Sequence, residues 1–170
     1  MKQILAINGS ASENSSNLQL LEVISATFSD TFQIAVYDGL WCLPLFNPNK
    51  LREITPVSIT QLKNQVDDAD AIVISTPEYL HNVPAVLKNA LEWMTESGEL
   101  ADKPVLPITF TPHEPRGKFA MTSLIQSLKA SKATIVAELP LYQNRVRNEN
   151  REIVLDEEYR FLLGEALKLL

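Results

Sequence analysis

The stretch with the clearest chemistry is Asn8-Gly-Ser-Ala-Ser-Glu-Asn-Ser-Ser-Asn17, which follows the apolar run Gln3–Ile7 and precedes a segment of helical period. After Gly9 it holds four serines and two asparagines but no Lys or Arg. Its backbone N–H groups and hydroxyls stand at the positive end of a helix dipole, a place that suits a phosphate held by neutral donors. The same residue types are common helix caps, so a Ser/Asn turn that only caps the helix is an equal reading. The loop matches neither the dinucleotide glycine fingerprint nor the lysine-bearing loop of nucleotide triphosphatases.

A second segment, Thr76 to Ala90, sets Pro77 and Pro84 around a polar and aromatic turn after a buried strand. Stiff and exposed, such a backbone suits a planar ring whose polar edge is read by main-chain N–H groups while Tyr79 covers one side. A third segment, Thr111-Pro-His-Glu-Pro-Arg-Gly117, ends the next strand.

The elements that position these loops follow from periodicity. Strand-length apolar patches at 3–7, 32–37, 71–75, 105–110 and 134–137 alternate with stretches of helical spacing at 16–28, 57–66, 84–96, around 121–128, and 156–169. That alternation predicts a parallel sheet with helices on both faces, wound by right-handed crossovers. Ligands of such sheets bind beyond the carboxyl ends of the strands, where the strand order reverses. The loops at 8–17, 76–83 and 111–117 therefore matter most. Leu40 to Arg52, rich in Pro and Asn, reads as a long loop, and Leu139 to Arg151 as an irregular surface segment with short strand pairing near Ile153.

A length of 170 residues, 45% of them hydrophobic, predicts one domain over 1–170 with a core of its own. A net charge of -6 without a basic run argues against a nucleic-acid partner. Cys42 is the only cysteine, so no intrachain disulfide can form and a reducing compartment is the simpler expectation. With no signal-peptide core and no apolar run of about 18 residues, a cytoplasmic protein without a membrane span is expected.

Taken together, Gly9-Ser10 followed by Ser15 and Asn17, then Pro77-Glu78-Tyr79, then Pro84 with Leu87-Lys88-Asn89-Ala90, resemble the NAD(P)H-dependent FMN reductase family of quinone, chromate and azo-dye reductases. Weaker matches stand in the same order: Leu43-Pro44-Leu45-Phe46-Asn47, and Gly117 with Ala120 and Leu124. The resemblance implies a flavodoxin-like, doubly wound, five-stranded parallel sheet of order 2-1-3-4-5. It implies FMN with its phosphate on Ser10, Ser15, Ser16 and Asn17, in a loop where Ser12 stands for the usual Arg. The flavin ring would lie against Pro77, Glu78, Tyr79, Leu80 and His81, with Thr111 and its neighbours, Arg116 among them, closing the other side. Family members usually carry Asn at Leu80, Ser at Asn82 and Gly at Ala85.

The activity so implied is transfer of electrons from NADH or NADPH to FMN and then to a small-molecule acceptor such as a quinone, in a homodimer or homotetramer. Helix residues Leu91, Trp93 and Met94 would offer apolar surface for such assembly, with Trp93 and Met94 reading as core residues or as interface residues. A flavodoxin-type electron carrier and a non-enzymatic binding module are the alternatives. Among single residues, His81 reads equally as a ring contact or an exposed loop histidine, His113 as solvated, and Glu78 as structural. Arg116 is the best anion ligand near the third loop, although a solvated arginine is the plainer reading. Cys42 reads as a small buried filler, and Asp67, Asp68 and Asp70 as a solvated helix end.

Overall fold

The central strands of the sheet are short and apolar on both sides, which forces helices onto both faces of the sheet. In a computed structural model, residues 1–52, 55–149 and 152–170 are described. The element order is β1 (Lys2–Asn8), α1 (Ser16–Thr27), β2 (Phe32–Tyr37), α2 (Pro48–Arg52), α3 (Val57–Asp68), β3 (Ala71–Thr76), α4 (Ala85–Trp93), β4 (Pro104–Thr111), α5 (Lys118–Ala130), β5 (Thr134–Ile135), β6 (Leu139–Tyr142), β7 (Arg147–Glu149), β8 (Glu152–Val154) and α6 (Glu157–Lys168). The sheet runs β2-β1-β3-β4-β5, with β6 also paired to β4 and every pairing parallel, which is the expected order.

Alternation along the strands divides the core in two. Leu5, Ile7, Ile72, Ile74 and Val105 pack under α3, α4 and α5, through residues such as Leu62, Leu91 and Leu124. Ile4, Ala6, Val73, Leu106 and Ile108 pack under α1 and α6, through Leu20, Ile24 and Leu163. All six residues of β3 are buried, as befits the central strand. Among the described residues no helix is long and apolar enough to cross a membrane.

The observed elements depart from the expected ones in three places. The predicted loop 40–52 contains a 3-10 turn at Leu40–Cys42 and the short helix α2. Asn47 nucleates α2: its Oδ1 accepts from Asn49 N–H at 3.0 Å, its carbonyl accepts from Lys50 N–H at 3.0 Å, and Pro48 stands where a helix tolerates it. The 3-10 turn points Leu40 and Leu43 inward and leaves Cys42 exposed, so this thiol is not a buried filler.

The fifth strand is longer than expected and split. Thr134–Ile135 pairs with Pro104–Val105, and Leu139–Tyr142 pairs with Ile108–Thr111, so the register slips by one residue between them. Val105 turns its carbonyl to this edge, accepting from Val136 N–H at 3.0 Å; Pro107, two residues on, presents the same edge without an N–H, and the ladder breaks there. Beyond it β7 and β8 form the pairing expected near Ile153. Asn150 and Arg151, at the end of that predicted irregular stretch, lie outside the described residues. Finally, α4 ends at Trp93, and Leu91, Trp93 and Met94 are 3%, 0% and 2% exposed. They belong to the subunit's own core and supply no free apolar surface.

Candidate functional site

The carboxyl ends of β1, β3 and β4 open into one crevice. The first loop is folded by Asn8, a buried side chain at the end of β1. Its Nδ2 donates to Asp38 at 2.7 Å, and its Oδ1 accepts from Ser10 N–H at 3.1 Å and from the Ser15 hydroxyl at 3.4 Å. Gly9 passes so close to β3 that a Cβ would stand 2.9 Å from the Ser75 carbonyl and 2.9 Å from Leu87 Cδ2, and its N–H donates to that carbonyl at 2.8 Å. Glycine is required there by close approach.

Ser15 is the cap of α1, its Oγ accepting from Leu18 N–H at 3.1 Å. Gln19 N–H begins the helical ladder on the Ser15 carbonyl, so the N–H groups of Ser16 and Asn17 precede the first intrahelical acceptors. The Ser10 hydroxyl accepts from Ser12 N–H at 3.2 Å, curling the loop around the crevice. Ser15 caps the helix, as one of the two readings expects, and the N–H groups of its neighbours are left at the helix end.

Asn17 has a more constrained role than its type suggests. It is buried, its Nδ2 donates to the Phe110 carbonyl at 3.3 Å, and its Oδ1 accepts from the Ser75 hydroxyl at 2.7 Å. The side chain is a strut tying α1 to the ends of β3 and β4. What it offers a ligand is its backbone N–H.

The second loop is a two-residue hairpin. Tyr79 and Asn82 exchange N–H···O bonds of 2.9 Å each, and the two residues between them, Leu80 and His81, have φ of 48° and 57°. Positive φ at both central positions is the geometry whose twist matches a tight hairpin. The hairpin is fastened to α5. Glu78 Oε2 accepts from the N–H groups of Gly117, Phe119 and Ala120 at 3.1, 2.9 and 3.1 Å, capping a helix that has no cap of its own. Asn82 Oδ1 accepts from Ser123 Oγ at 2.6 Å, and His81 stacks on Phe119 with ring centroids 4.4 Å apart. Glu78 is therefore structural, as its sequence context suggested, while its side chain also walls the crevice.

The third loop is closed by Thr111, whose hydroxyl donates to the Arg116 carbonyl at 2.9 Å. Gly117 takes φ of 96° with its Cα against the Thr109 side chain. The crevice encloses about 280 Å³, and nine of the twelve expected site residues line it: Ser10, Ser12, Ser15, Ser16, Asn17, Pro77, Glu78, Tyr79 and Arg116. The other three do not. Thr111 is buried, and Leu80 and His81 stand exposed at the tip of the hairpin, outside the crevice lining.

Three contributors escaped the sequence reading. Gln143 lines the crevice and donates from Nε2 to Ser16 Oγ at 2.8 Å, from a segment expected to be irregular. Asn8 organises the first loop, and its signal was its place between a strand end and a glycine. Phe119, half exposed on the first turn of α5, carries the stacked His81 ring, and nothing in its local sequence marks that role.

Known proteins match this arrangement. Residues 2–144 fit the family described as NADPH-dependent FMN reductase. The chain is 41% identical over 103 residues to the NADH:(hydroxy)cinnamate reductase subunit CrdA of Vibrio ruber, covering 60% of this chain and 50% of that protein. It is 35% identical over 92 residues to NADH-dependent flavin reductase subunit 2 of Lactobacillus johnsonii, covering 54% and 47%. Against the quinone reductase of Escherichia coli K12 it is 30% identical over 107 residues, covering 61% and 57%. The chain spans about half the length of the curated relatives it matches. Among solved structures, the flavoenzyme NAD(P)H:(acceptor) oxidoreductase FerB of Paracoccus denitrificans superposes with a TM-score of 0.84 at 20% identity, over 99% of this chain and 95% of that one. That likeness is one of fold. On the strength of the match over most of its length, the chain belongs to the NADPH-dependent FMN reductase family.

Proposed function

We propose that this chain is an FMN-dependent oxidoreductase that takes electrons from NADH or NADPH and delivers them to a small quinone-like acceptor. The observation that carries the reading is the set of unspent neutral donors at the amino end of α1, opening on the carboxyl ends of the strands in a chain of this family. The hydroxyls of Ser10, Ser12 and Ser16 and the N–H groups of Ser16 and Asn17 fit a phosphate, with Arg116 the cation on the crevice wall. Pro77, Glu78 and Tyr79 fit the edge of a planar ring.

A bound flavin supplies hydride acceptance and electron delivery, so the protein needs no nucleophile of its own. Its residues would orient the ring and hold the phosphate. Thr111 serves by shaping the third loop, and His81 by bracing the hairpin on Phe119. We further infer a cytoplasmic homodimer or homotetramer, with contacts other than the buried α4 residues named above.

The test begins with the visible spectrum of the protein after FMN loading and gel filtration. Yellow colour that travels with the protein supports the reading; a colourless protein peak at saturating FMN overturns it. Steady-state NAD(P)H oxidation with a quinone separates a reductase from a one-electron carrier, and light scattering gives the assembly.

A further inference from the structure

The Leu80–His81 hairpin is built against local preference. Both central residues sit in the left-handed region, where Gly, Asn and Asp are favoured and a branched apolar side chain is disfavoured. Leu80 gains nothing inside the subunit in return, because it is 101% exposed. Strain of this kind, held by surrounding structure, concentrates at ligand clamps. Here the surrounding structure is plain: Glu78 bonds three N–H groups of α5, Asn82 is held by Ser123, and His81 lies on Phe119.

The neighbours of Leu80 complete an apolar lip. Tyr79, which lines the crevice, is 47% exposed, and Phe119 is 50% exposed beneath the His81 ring. Three such side chains offer on the order of 350 Å² of apolar surface, the size of a functional patch on a monomer. A stable subunit interface needs about 800 Å² per partner, so the lip by itself is too small for a second copy. Tyr79, next to Leu80 in the hairpin, lines the crevice in which the proposed chemistry takes place.

We propose that Leu80 is a specificity-determining residue: the strained hairpin projects it so that, with Tyr79 and Phe119, it grips the apolar part of an uncharged aromatic electron acceptor beside the crevice. This rests on the reductase reading given above. A hydrophilic acceptor that needs only to reach the crevice would make no use of the lip.

Leu80→Asn is the informative substitution, since Asn accepts the same backbone conformation and removes the apolar side chain. Turnover is measured with a naphthoquinone and with ferricyanide, and the protein as purified is titrated calorimetrically with 1-naphthol. The expected result is a roughly five- to tenfold rise in KM for the naphthoquinone and a similar weakening of naphthol binding. Ferricyanide kinetics should be unchanged, and the melting temperature should rise by about 2–4 °C as backbone strain is relieved. Equal kinetics on both acceptors with unchanged naphthol affinity would overturn the proposal. So would a fall in molecular mass on substitution, which would place a second copy over the lip. Should the wild type bind no FMN and oxidise no NAD(P)H, the reductase reading fails instead, and the naphthol titration alone decides what the lip holds.

Discussion

Glu78 lies where the first perturbation should be made, because one carboxylate oxygen joins the second loop to the helix that follows the third. Its Oε2 takes three backbone N–H groups within 3.1 Å, and two of these belong to the buried residues Gly117 and Ala120, which water reaches poorly. A hydrogen bond to a charged group contributes roughly 1.5–3 kcal/mol net, and a carboxylate at a helix amino end roughly 0.3–1 kcal/mol more. The three bonds share one acceptor, so they do not add as independent terms. Glu78→Ala is therefore expected to cost about 3 kcal/mol. Glu78→Gln, which keeps an oxygen and loses the charge, should cost about 1 kcal/mol.

For a chain of this length each kcal/mol moves the melting temperature by about 2–4 °C, so the Ala variant should melt about 6–12 °C lower and the Gln variant about 2–4 °C lower. Urea titration gives the free energies directly, and Glu92→Gln serves as a control. Glu92 pairs with Lys88 at 2.9 Å on the exposed face of α4, a contact worth less than about 0.5 kcal/mol. The Ala variant should also bind FMN more weakly, since the hairpin would no longer be fastened. A Glu78→Ala protein melting within a degree of wild type would refute the clamp. Equal losses in Ala and Gln would refute the part assigned to the hydrogen-bonded oxygen.

Other expectations follow from single contacts. Gly9→Ala forces a Cβ to 2.9 Å from the Ser75 carbonyl, a backbone atom that cannot swing aside, and should lower stability by about 1–3 kcal/mol in urea titration. Lys103 Nζ donates to the carbonyls of Val66, Asp67 and Ala69 at 2.7, 3.0 and 2.8 Å, capping the end of α3; Lys103→Met should cost about 2 kcal/mol, read as a melting temperature about 4–8 °C lower. Tyr159 accepts from Tyr142 N–H at 3.1 Å, and burial pushes its phenol above the usual value of 10.0. Because the folded state keeps that proton longer than the unfolded chain, stability should hold below pH 10.0 and fall as pH rises through the folded value. Tyr159→Phe should flatten part of that alkaline loss in a series of thermal melts; an unchanged slope would remove Tyr159 as a cause.

How much of this was legible in the sequence depends on the range of the interaction. Helix α1 and strand β3 announce themselves by spacing alone. Leu18, Leu21, Ile24 and Phe28 recur three or four apart, although the face the helix buries is Leu20, Leu21 and Ile24, and Ala71 to Ser75 are apolar enough to be covered on both sides. The first loop was legible as a donor-rich turn since Ser15 and Asn17 act within a few residues of themselves. Gln143 was not, because its bond to Ser16 spans 127 positions and no local pattern marks it. The split of the fifth strand was hidden for a related reason: the residue that breaks the ladder is Pro107, on the neighbouring strand. Burial of Trp93 and Met94 likewise depends on what folds over α4. Trp93 Nε1 donates to the Pro44 carbonyl at 2.8 Å, and Phe46 meets the indole edge-on at 5.3 Å, both from a segment that read as open loop.

The polar residues around the crevice divide by what is left to them after folding. Asn8 and Asn17 have exchanged side-chain hydrogen bonds for the shape of the first loop, and Glu78 has done so for the second and third. Gln143 ties the fifth strand's end to the amino end of α1. Each of these bonds orders backbone before any ligand arrives, so the entropy of holding the loops is charged to folding and is absent from binding. Neutral N–H groups and hydroxyls grip an anion usefully only when they already converge, because each contributes less than a lysine would. A loop without Lys or Arg can thus grip an anion on one condition: that the residues beside the ligand, more than those touching it, hold the geometry.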